Sequence, residues 1–271
     1  MCLSARHRRR IHVTAFTRSP ERSGGFTLVE IAIAIFIITI LLGSILVPLT
    51  TQVEQRQVAE TQKMLEDIKE ALVGHAVAKG YLPCPDRTSG GAGTANDTAN
   101  DGVEDYSGAN CLGTSSGGTG PPNVRRWIGN VPWVTLGLGT ADSWGNRFRY
   151  VVDDEFANHS TPFNLSSGAD VGVCASAACT VRLTSATTGE AAVAVILSHG
   201  KNGRSAMNSI TNAANPAATS ADELDNVGGA TYTSRPITAL APDNANYFDD
   251  VVTWLSKYTL VNRMVAAGKL P

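Results

Sequence analysis

The stretch Gly24-Gly25-Phe26-Thr27-Leu28-Val29-Glu30 opens an apolar segment that continues to Leu49. Within residues 26–49, Glu30 is the only acidic residue and there is no basic one. Built as a helix at 1.5 Å per residue, this segment would be about 36 Å long, enough to cross the hydrocarbon core of a bilayer. The sequence therefore predicts a transmembrane helix over residues 26–49.

Glu30 is the unusual residue of this apolar segment. An ionised side chain inside hydrocarbon costs about 2.5 to 3.5 kcal/mol on insertion scales, so such a residue is expected to have a partner. The segment itself contains no cation. A cut between Gly25 and Phe26 would create an α-amino group four residues before Glu30, and a neighbouring copy could bring its amine to this carboxylate. The pattern thus favours another subunit as the partner.

Gly25 followed by Phe-Thr-Leu-Val-Glu resembles the processing site of type IV prepilins and of type II secretion pseudopilins. The resemblance implies cleavage after Gly25 by prepilin peptidase and N-methylation of Phe26. It also implies assembly into a filament in which Phe26 and Glu30 set the subunit register, with other pilin subunits and an inner-membrane assembly platform as partners. The alternative is a single-pass anchor with an incidental glutamate.

Residues 1–25 have the composition of a leader peptide. They contain one acidic residue, Glu21, and six arginines, which are Arg6, Arg8, Arg9, Arg10, Arg18 and Arg22. Basic residues beside a transmembrane segment stay cytoplasmic, so we expect a single-pass protein of the bacterial inner membrane with a periplasmic head. Pilin-type leaders are usually shorter, so either this leader is extended or the start codon is assigned too early.

The charge balance argues against nucleic-acid binding. Of 22 basic and 24 acidic residues, removal of the leader would leave 16 and 23, a formal net charge of −7. A basic patch for nucleic acid is therefore not predicted.

The helical pattern continues beyond the membrane segment through residues 50–80. Apolar and small residues recur at helical spacing on one face, namely Val58, Thr61, Leu65, Ile68, Leu72 and Ala76. Gly80 and Pro83 are expected to end the helix, and Pro48 is expected to kink it. Residues 81–271 would form the globular head.

Four cysteines remain after the leader with its Cys2, namely Cys84, Cys111, Cys174 and Cys179. An even number in an oxidising compartment predicts disulfides, although three pairings are possible and free thiols are the alternative. Cys174 and Cys179 flank small residues between two strand-like runs, which favours a local bridge across a hairpin. Cys84 and Cys111 would then pair by elimination.

Polar and small residues dominate residues 81–126, which are predicted to form a long surface loop. Within it, Asn96 to Asp105 gathers carboxylates around Gly102, as calcium loops do. The match to an EF-hand is poor because Ala99 occupies a ligand position, so a plain solvated acidic turn is the alternative.

A second resemblance lies at Asp142-Ser143-Trp144-Gly145-Asn146, which precedes a strand with Phe148 and Tyr150 on one face. An acidic residue, a spacer and Trp-Gly-Asn before an aromatic strand are similar to the periplasmic domain of the major pseudopilin of type II secretion. We expect Trp144 to pack against the long helix rather than to contact a ligand.

The same family implies a calcium site in the head. In this chain an apolar strand, residues 191–198, is followed by a loop that contains Asn202, and Asp249 and Asp250 precede a second strand. Asn202, Asp249 and Asp250 are therefore the candidate metal ligands, and Ca²⁺ is the candidate cofactor. The chain departs from the family pattern of this calcium site in two ways. Asn202 replaces the expected aspartate, and about 45 residues intervene, including a disorder-like stretch over 208–238 and a long loop over 205–240.

No catalytic constellation is apparent. His199 and Lys201 share a loop, but they lack a nucleophile with an orienting acid, and a lone loop histidine is usually solvated. The chain ends in a strand and a short amphipathic helix, and its tail from Arg263-Met264 to Leu270-Pro271 resembles that of a pilin-like subgroup.

The sequence thus predicts an α+β pilin fold with a protruding N-terminal helix, an antiparallel sheet from about Trp127 to Trp254, and long loops. The expected function is that of a structural subunit of a type II secretion pseudopilus, not of an enzyme. A minor type IV pilin at a filament tip, serving adhesion or DNA uptake, is the alternative. A membrane-tethered periplasmic enzyme is a more distant one.

Overall fold

The computed structural model describes residues 25–89, 98–117, 125–229 and 231–270, with the backbone alone for residues 44–50, 114–117 and 125. The chain divides into two compact units, Met1–Thr51 and Gln52–Pro271, and each is described by itself. Several predictions fall at least partly outside the described residues. They concern leader residues 1–24, the start of the acidic turn at Asn96, the side chains of residues 44–49, parts of the loops over 81–126 and 205–240, and Pro271 of the tail.

The architecture combines helices with an antiparallel sheet, which confirms the predicted α+β class. The helices are α1 (Leu28–Lys79), α2 (Trp133–Leu136), α3 (Ala221–Gly228) and α4 (Lys257–Ala266). The strands are β1 (Tyr106–Ser107), β2 (Asn110–Cys111), β3 (Thr114–Gly117), β4 (Arg125–Asn130), β5 (Arg149–Asp153), β6 (Gly172–Cys174), β7 (Ala192–Ser198), β8 (Thr231–Thr233) and β9 (Val251–Ser256). Within the described residues, five strands form one sheet in the order β3-β4-β5-β7-β9, and every neighbouring pair is antiparallel.

Helix α1 is one continuous element of 52 residues. Helical backbone continues through Pro48, and the kink expected there stays a prediction. The helix ends where the sequence indicates, because Gly80 has a φ of 91° and its N–H still donates to the Ala76 carbonyl. Among the described residues, no helix has a stretch long and apolar enough to cross a membrane.

The second half of α1 packs on the sheet through the face that its periodicity predicts. Five of the six residues on that face are buried, namely Thr61, Leu65, Ile68, Leu72 and Ala76, and Val58 is half-buried. Tyr150 and Val152 of β5 join this core, together with Leu260 and Met264 of α4. The helix therefore covers one face of the sheet.

The other face of the sheet has its own apolar cluster. Val151 of β5 and Val195 of β7 pack there against Val173 of β6 and Tyr232 of β8. Strands β6 and β8 pair in parallel with each other and cover this face. Strand β7 is buried along its whole length because both of its faces are covered, as its continuous apolar run predicts.

Two segments predicted as long loops contain regular structure. Residues 81–126 include the β1-β2 hairpin and edge strand β3, so the sheet begins before Trp127. Residues 205–240 contain α3 and β8, and the prediction of a disorder-like stretch was wrong. The physical reason is a set of specific polar contacts within the segment. The Ser220 hydroxyl caps α3 by accepting the Glu223 N–H, and Asp222 of α3 pairs with Arg235 at 2.6 Å.

Candidate functional site

The predicted processing site lies at the start of α1. Phe26 precedes the helix and is 81% exposed. A carboxylate oxygen of Glu30 accepts the Thr27 N–H at 2.8 Å and the Thr27 hydroxyl at 2.9 Å, and the Thr27 hydroxyl accepts the Glu30 N–H. This reciprocal pair is a capping box, which satisfies backbone donors at the helix start. The Glu30 carboxylate is therefore next to the residue that would begin the processed chain.

The first half of α1 exposes an apolar surface on all sides. Large apolar residues of this stretch are 47 to 86% exposed, namely Phe26, Leu28, Val29, Ile31, Ile33, Ile35, Phe36, Ile37, Ile38, Ile40, Leu41 and Leu42. Soluble monomers rarely expose contiguous apolar patches larger than a few hundred Å². A surface of this kind fits contact with lipid or with other protein helices.

The four cysteines of the described residues form two pairs. Cys84 is bonded to Cys111 and Cys174 to Cys179, with Cα–Cα distances of 5.3 and 5.0 Å. Cys84 also lies near Glu104 and His159, a grouping that could suggest a metal site. Because the Cys84 sulfur is bonded to Cys111, it is not available as a thiolate ligand.

Three carboxylates meet at the end of β7 and the start of β9. Asp249, Asp250 and Glu223 each place an oxygen so that these atoms all lie within 4.8 Å of one another. All three residues are buried, with 3%, 3% and 1% of their surfaces exposed. Asp249 and Asp250 were predicted as ligands, whereas Glu223 lies on α3 in the stretch predicted as a loop.

Two of these carboxylates have an oxygen without a donor. Glu223 Oε2 and Asp249 Oδ1 are buried and accept no hydrogen bond from the described residues. Asp249 Oδ2 accepts from the Asn202 N–H at 2.7 Å and the Tyr247 hydroxyl at 2.9 Å. Asp250 Oδ2 accepts from the Asn226 amide at 2.7 Å. Burial and the neighbouring carboxylates raise the pKa of Glu223, and burial raises the pKa of Asp249.

Asn202, the third predicted ligand, organises the cluster through its N–H groups. Its side-chain amide donates to Glu223 Oε1 at 3.2 Å, while its backbone donates to Asp249. The loop can approach this closely because Gly200 has a φ of 61°, and a Cβ there would lie 2.2 Å from the Asp249 carbonyl oxygen. Lys201 turns away and pairs with Glu54 of α1.

His199 is buried, with 1% of its surface exposed, so the expectation of a solvated loop histidine was wrong. Arg149 Nε donates to His199 Nε2 at 3.1 Å, which places the imidazole proton on Nδ1. Nδ1 lies 3.7 Å from Asp250 Oδ1. Arg149 therefore orients His199, and His199 lies beside Asp250 without a hydrogen bond to it.

The turn at residues 142–146 is attached to the same corner of the sheet. One oxygen of Asp142 accepts the N–H groups of Trp144 and Asn146, and the other accepts the Ser198 hydroxyl at 2.6 Å. Burial raises the pKa of Asp142 despite these bonds. The structure thus brings the turn at Asp142 and the Asp249-Asp250 pair, both of which carry the resemblance to the major pseudopilin, together at the end of β7.

Trp144 is half-buried beside a cavity of about 440 Å³. Helix α1 contributes Glu54 and Val58 to its wall, and residues 237–240 and Pro242 also line it. Trp144 and helix α1 thus line the same cavity, and direct packing of Trp144 against the helix stays a prediction.

The acidic turn uses its carboxylates to hold the backbone. Asp101 accepts the Val103 N–H, and Asp105 accepts the Arg87 N–H. The organising residue is Asp86, which the sequence reading missed. It is buried and accepts the N–H groups of Asn100 and Gly102. The turn is thus held by its own hydrogen bonds, but Asp105 is buried, so it is not the solvated turn of the alternative prediction.

The residues of the three-carboxylate cluster fit Ca²⁺ better than a softer metal. The donors are carboxylate oxygens, which hard cations prefer, and two of those oxygens are buried without a hydrogen-bond donor. The sequence signal that could have found Glu223 is the pattern Ser220-x-x-Glu223, a helix-start signature.

Comparison with known proteins gives one family. The family described as the prokaryotic N-terminal methylation motif matches residues 22–46. This motif is the signature of type IV pilins and pseudopilins, and the matched segment includes Gly25, Phe26 and Glu30. No curated protein and no solved structure matches the chain.

Proposed function

We propose that this chain is a structural subunit of a type II secretion pseudopilus. The observation that carries the proposal is the N-terminal methylation motif at residues 22–46. It supports cleavage after Gly25 by prepilin peptidase, methylation of the Phe26 amine, and assembly with other pilin-like subunits. No catalytic role is proposed for the head.

The N-terminal residues have distinct roles in this proposal. The apolar segment 26–49 holds the subunit in the inner membrane before assembly and packs among other helices in the filament. The Glu30 carboxylate meets the Phe26 amine of a neighbouring subunit, so a charge that is costly in hydrocarbon gains an ionic partner. The capping box with Thr27 keeps this carboxylate near the chain start in the free subunit.

The head supports the secretion role over the pilus role. The turn at Asp142 and the pair Asp249-Asp250 resemble the major pseudopilin, and they lie at one corner of the sheet. We propose that Ca²⁺ binds there to Asp249, Asp250 and Glu223. The ion would balance three buried carboxylates and hold the loop of Asn202 beside β9.

A minor type IV pilin at a filament tip is the second candidate. The observation that favours it is the size of the head, in which residues 205–240 add a helix and a strand beside the sheet. Added elements of this kind suit adhesion or DNA uptake at a tip, where no further subunit covers the head.

The first experiment is mass spectrometry of the N terminus of protein purified from membranes. A chain that begins with methylated Phe26 is the expected result. An intact leader, or a cut elsewhere, would reduce the chain to an ordinary membrane anchor.

Deletion of the gene then separates the two candidates. Retention of exported proteins in the periplasm indicates the pseudopilus, and loss of surface pili or of DNA uptake indicates the tip pilin.

Glu30→Ala tests the assembly mechanism. The variant should insert into the membrane and be processed, but it should not enter filaments, because the carboxylate that meets the neighbouring amine is gone. Sheared filament fractions measure incorporation. The control is Glu60→Ala, which removes an exposed carboxylate further along α1. Normal incorporation of Glu30→Ala would contradict the mechanism.

A further inference from the structure

The segment of residues 205–240, here called the insertion, is attached to the head at the three-carboxylate cluster. Its helix α3 presents Glu223 and Asn226 to the same region, and both are buried. Asn226 donates to Asp250 Oδ2 at 2.7 Å. Glu223 faces Asp249 and Asp250 without an intervening donor on Oε2. The insertion therefore contributes one carboxylate, that of Glu223, which faces the carboxylates of Asp249 and Asp250.

The electrostatics of this contact are unfavourable while all three carboxyl groups are charged. Within the part of the chain that the structure describes, no Lys or Arg side chain forms an ion pair with Glu223, Asp249 or Asp250. Lys201, which lies in the loop of Asn202, pairs with Glu54. His199 approaches Asp250. The Arg149 guanidinium acts electrostatically on Asp250 without an ion pair, and its other nitrogens donate to the carbonyls of Val227 and Ser205. Like charges in a buried site repel strongly, so this contact requires either a proton on one of the carboxyl groups or a bound cation.

Other contacts of α3 are independent of the cluster. Asp222 accepts the Ala177 N–H at 2.8 Å and pairs with Arg235 on the opposite side. Arg149 holds the Val227 carbonyl at 2.9 Å. These contacts keep α3 close to the head even when the cluster is not neutralised, so the cation adds an attachment rather than creating the helix.

We propose that a divalent cation of the calcium type fastens the insertion to the head, with Glu223 as the ligand that the insertion supplies. The inference rests on the calcium site put forward above. It adds that the Glu223 carboxylate replaces that of the expected loop aspartate, a position where this chain has Asn202. The position of the inserted helix therefore depends on the cation. Removal of the ion releases α3 from Asp249 and Asp250, while the sheet and α1 stay folded.

Hydrogen–deuterium exchange of the full chain in CaCl₂ and in EGTA tests this inference. With Ca²⁺, amides of residues 221–234 should exchange at least tenfold more slowly than in EGTA, while amides of β5 and β7 should not change. Glu223→Gln keeps the shape of the side chain but removes the charge, so this calcium-dependent protection should disappear. Circular dichroism checks that the variant remains folded.

Asp222→Asn is the matched control on the same helix. It removes a carboxylate that pairs with Arg235 and not with the cluster, so the calcium-dependent difference should remain. Calorimetric titration with CaCl₂ distinguishes failure of the calcium site from failure of the role proposed for Glu223. If Asp249→Asn loses Ca²⁺ binding but Glu223→Gln binds and exchanges like the wild type, the calcium site stands and the inference is overturned. If the wild type binds no Ca²⁺, both cation proposals are wrong, while N-terminal processing is tested separately.

Discussion

Asp153, the last residue of β5, has a carboxyl group that folding removes from water. Its exposed fraction is 2%, and it accepts the N–H groups of Glu155 and Asp170. Burial raises its pKa to about 7, and the negative charges of Asp170 and Glu155 act in the same direction. The buried carboxyl of Asp86 has its pKa raised to about 7 as well, again chiefly by burial.

These two groups predict the pH dependence of stability. An unfolded aspartate has a pKa of about 3.9, so between about pH 4 and 7 the folded chain binds more protons than the unfolded chain. The free energy of unfolding should therefore decrease as the pH rises through this window. Urea unfolding of the purified protein at a series of pH values measures this decrease in the free energy of unfolding. Asp153→Asn should flatten the decrease, and an unchanged slope in this variant would contradict the assignment.

At the scale of elements, the two disulfides close loops of different length. Cys84 and Cys111 are 27 residues apart, whereas Cys174 and Cys179 are 5 apart. In the chain-entropy account, a disulfide stabilises the fold by restricting the unfolded chain, and a longer loop gives a larger effect. The expected stabilisation is about 3.5 kcal/mol for the Cys84–Cys111 loop and about 2 kcal/mol for the Cys174–Cys179 loop. The β1-β2 hairpin depends on the longer link, because Cys111 belongs to β2.

Replacing each pair by alanine tests this difference. The Cys84→Ala, Cys111→Ala variant should lose about 3.5 kcal/mol of the free energy of unfolding, and the Cys174→Ala, Cys179→Ala variant about 2 kcal/mol. Urea unfolding under non-reducing conditions compares the two variants with the wild type. Equal losses would indicate that the bridges act through packing in the folded state rather than through the unfolded chain.

The elements that the sequence predicts best are those with a strong apolar pattern. The buried face of α1, the apolar run of β7 and the strand-to-helix passage from β9 to α4 follow from hydrophobic periodicity alone. Helix α3 escaped prediction because it has only eight residues, too few for a clear apolar periodicity, and half of them are Asp, Glu or Asn. Glu223 and Asn226 are buried there by contacts with residues distant in sequence, and local patterns contain no information on such contacts. For the same reason the site was predicted as Asn202, Asp249 and Asp250 without Glu223.

At the scale of the whole molecule, the described core lies in one of the two units. The buried apolar residues of both clusters belong to Gln52–Pro271, and the earliest of them along the chain is Leu65. The unit Met1–Thr51 exposes apolar residues along the described part of α1 instead. Burial of apolar surface is the main stabilising contribution to folding. The head should therefore not need the first half of α1 in order to fold.

A chain that begins at Gln52 tests this conclusion. It should be soluble and should unfold in one cooperative transition, because it retains the helix face that packs on β5 and α4. Circular dichroism during heating measures the transition. Leu72→Ala in the same truncated chain should cost about 2 to 5 kcal/mol, since Leu72 is fully buried in that contact, whereas Val134→Ala at a site 56% exposed should cost about 0.5 kcal/mol or less. A truncated chain without a cooperative transition would show that the head depends on residues 26–51. Similar costs for the two substitutions would show that α1 does not form the core contact described here.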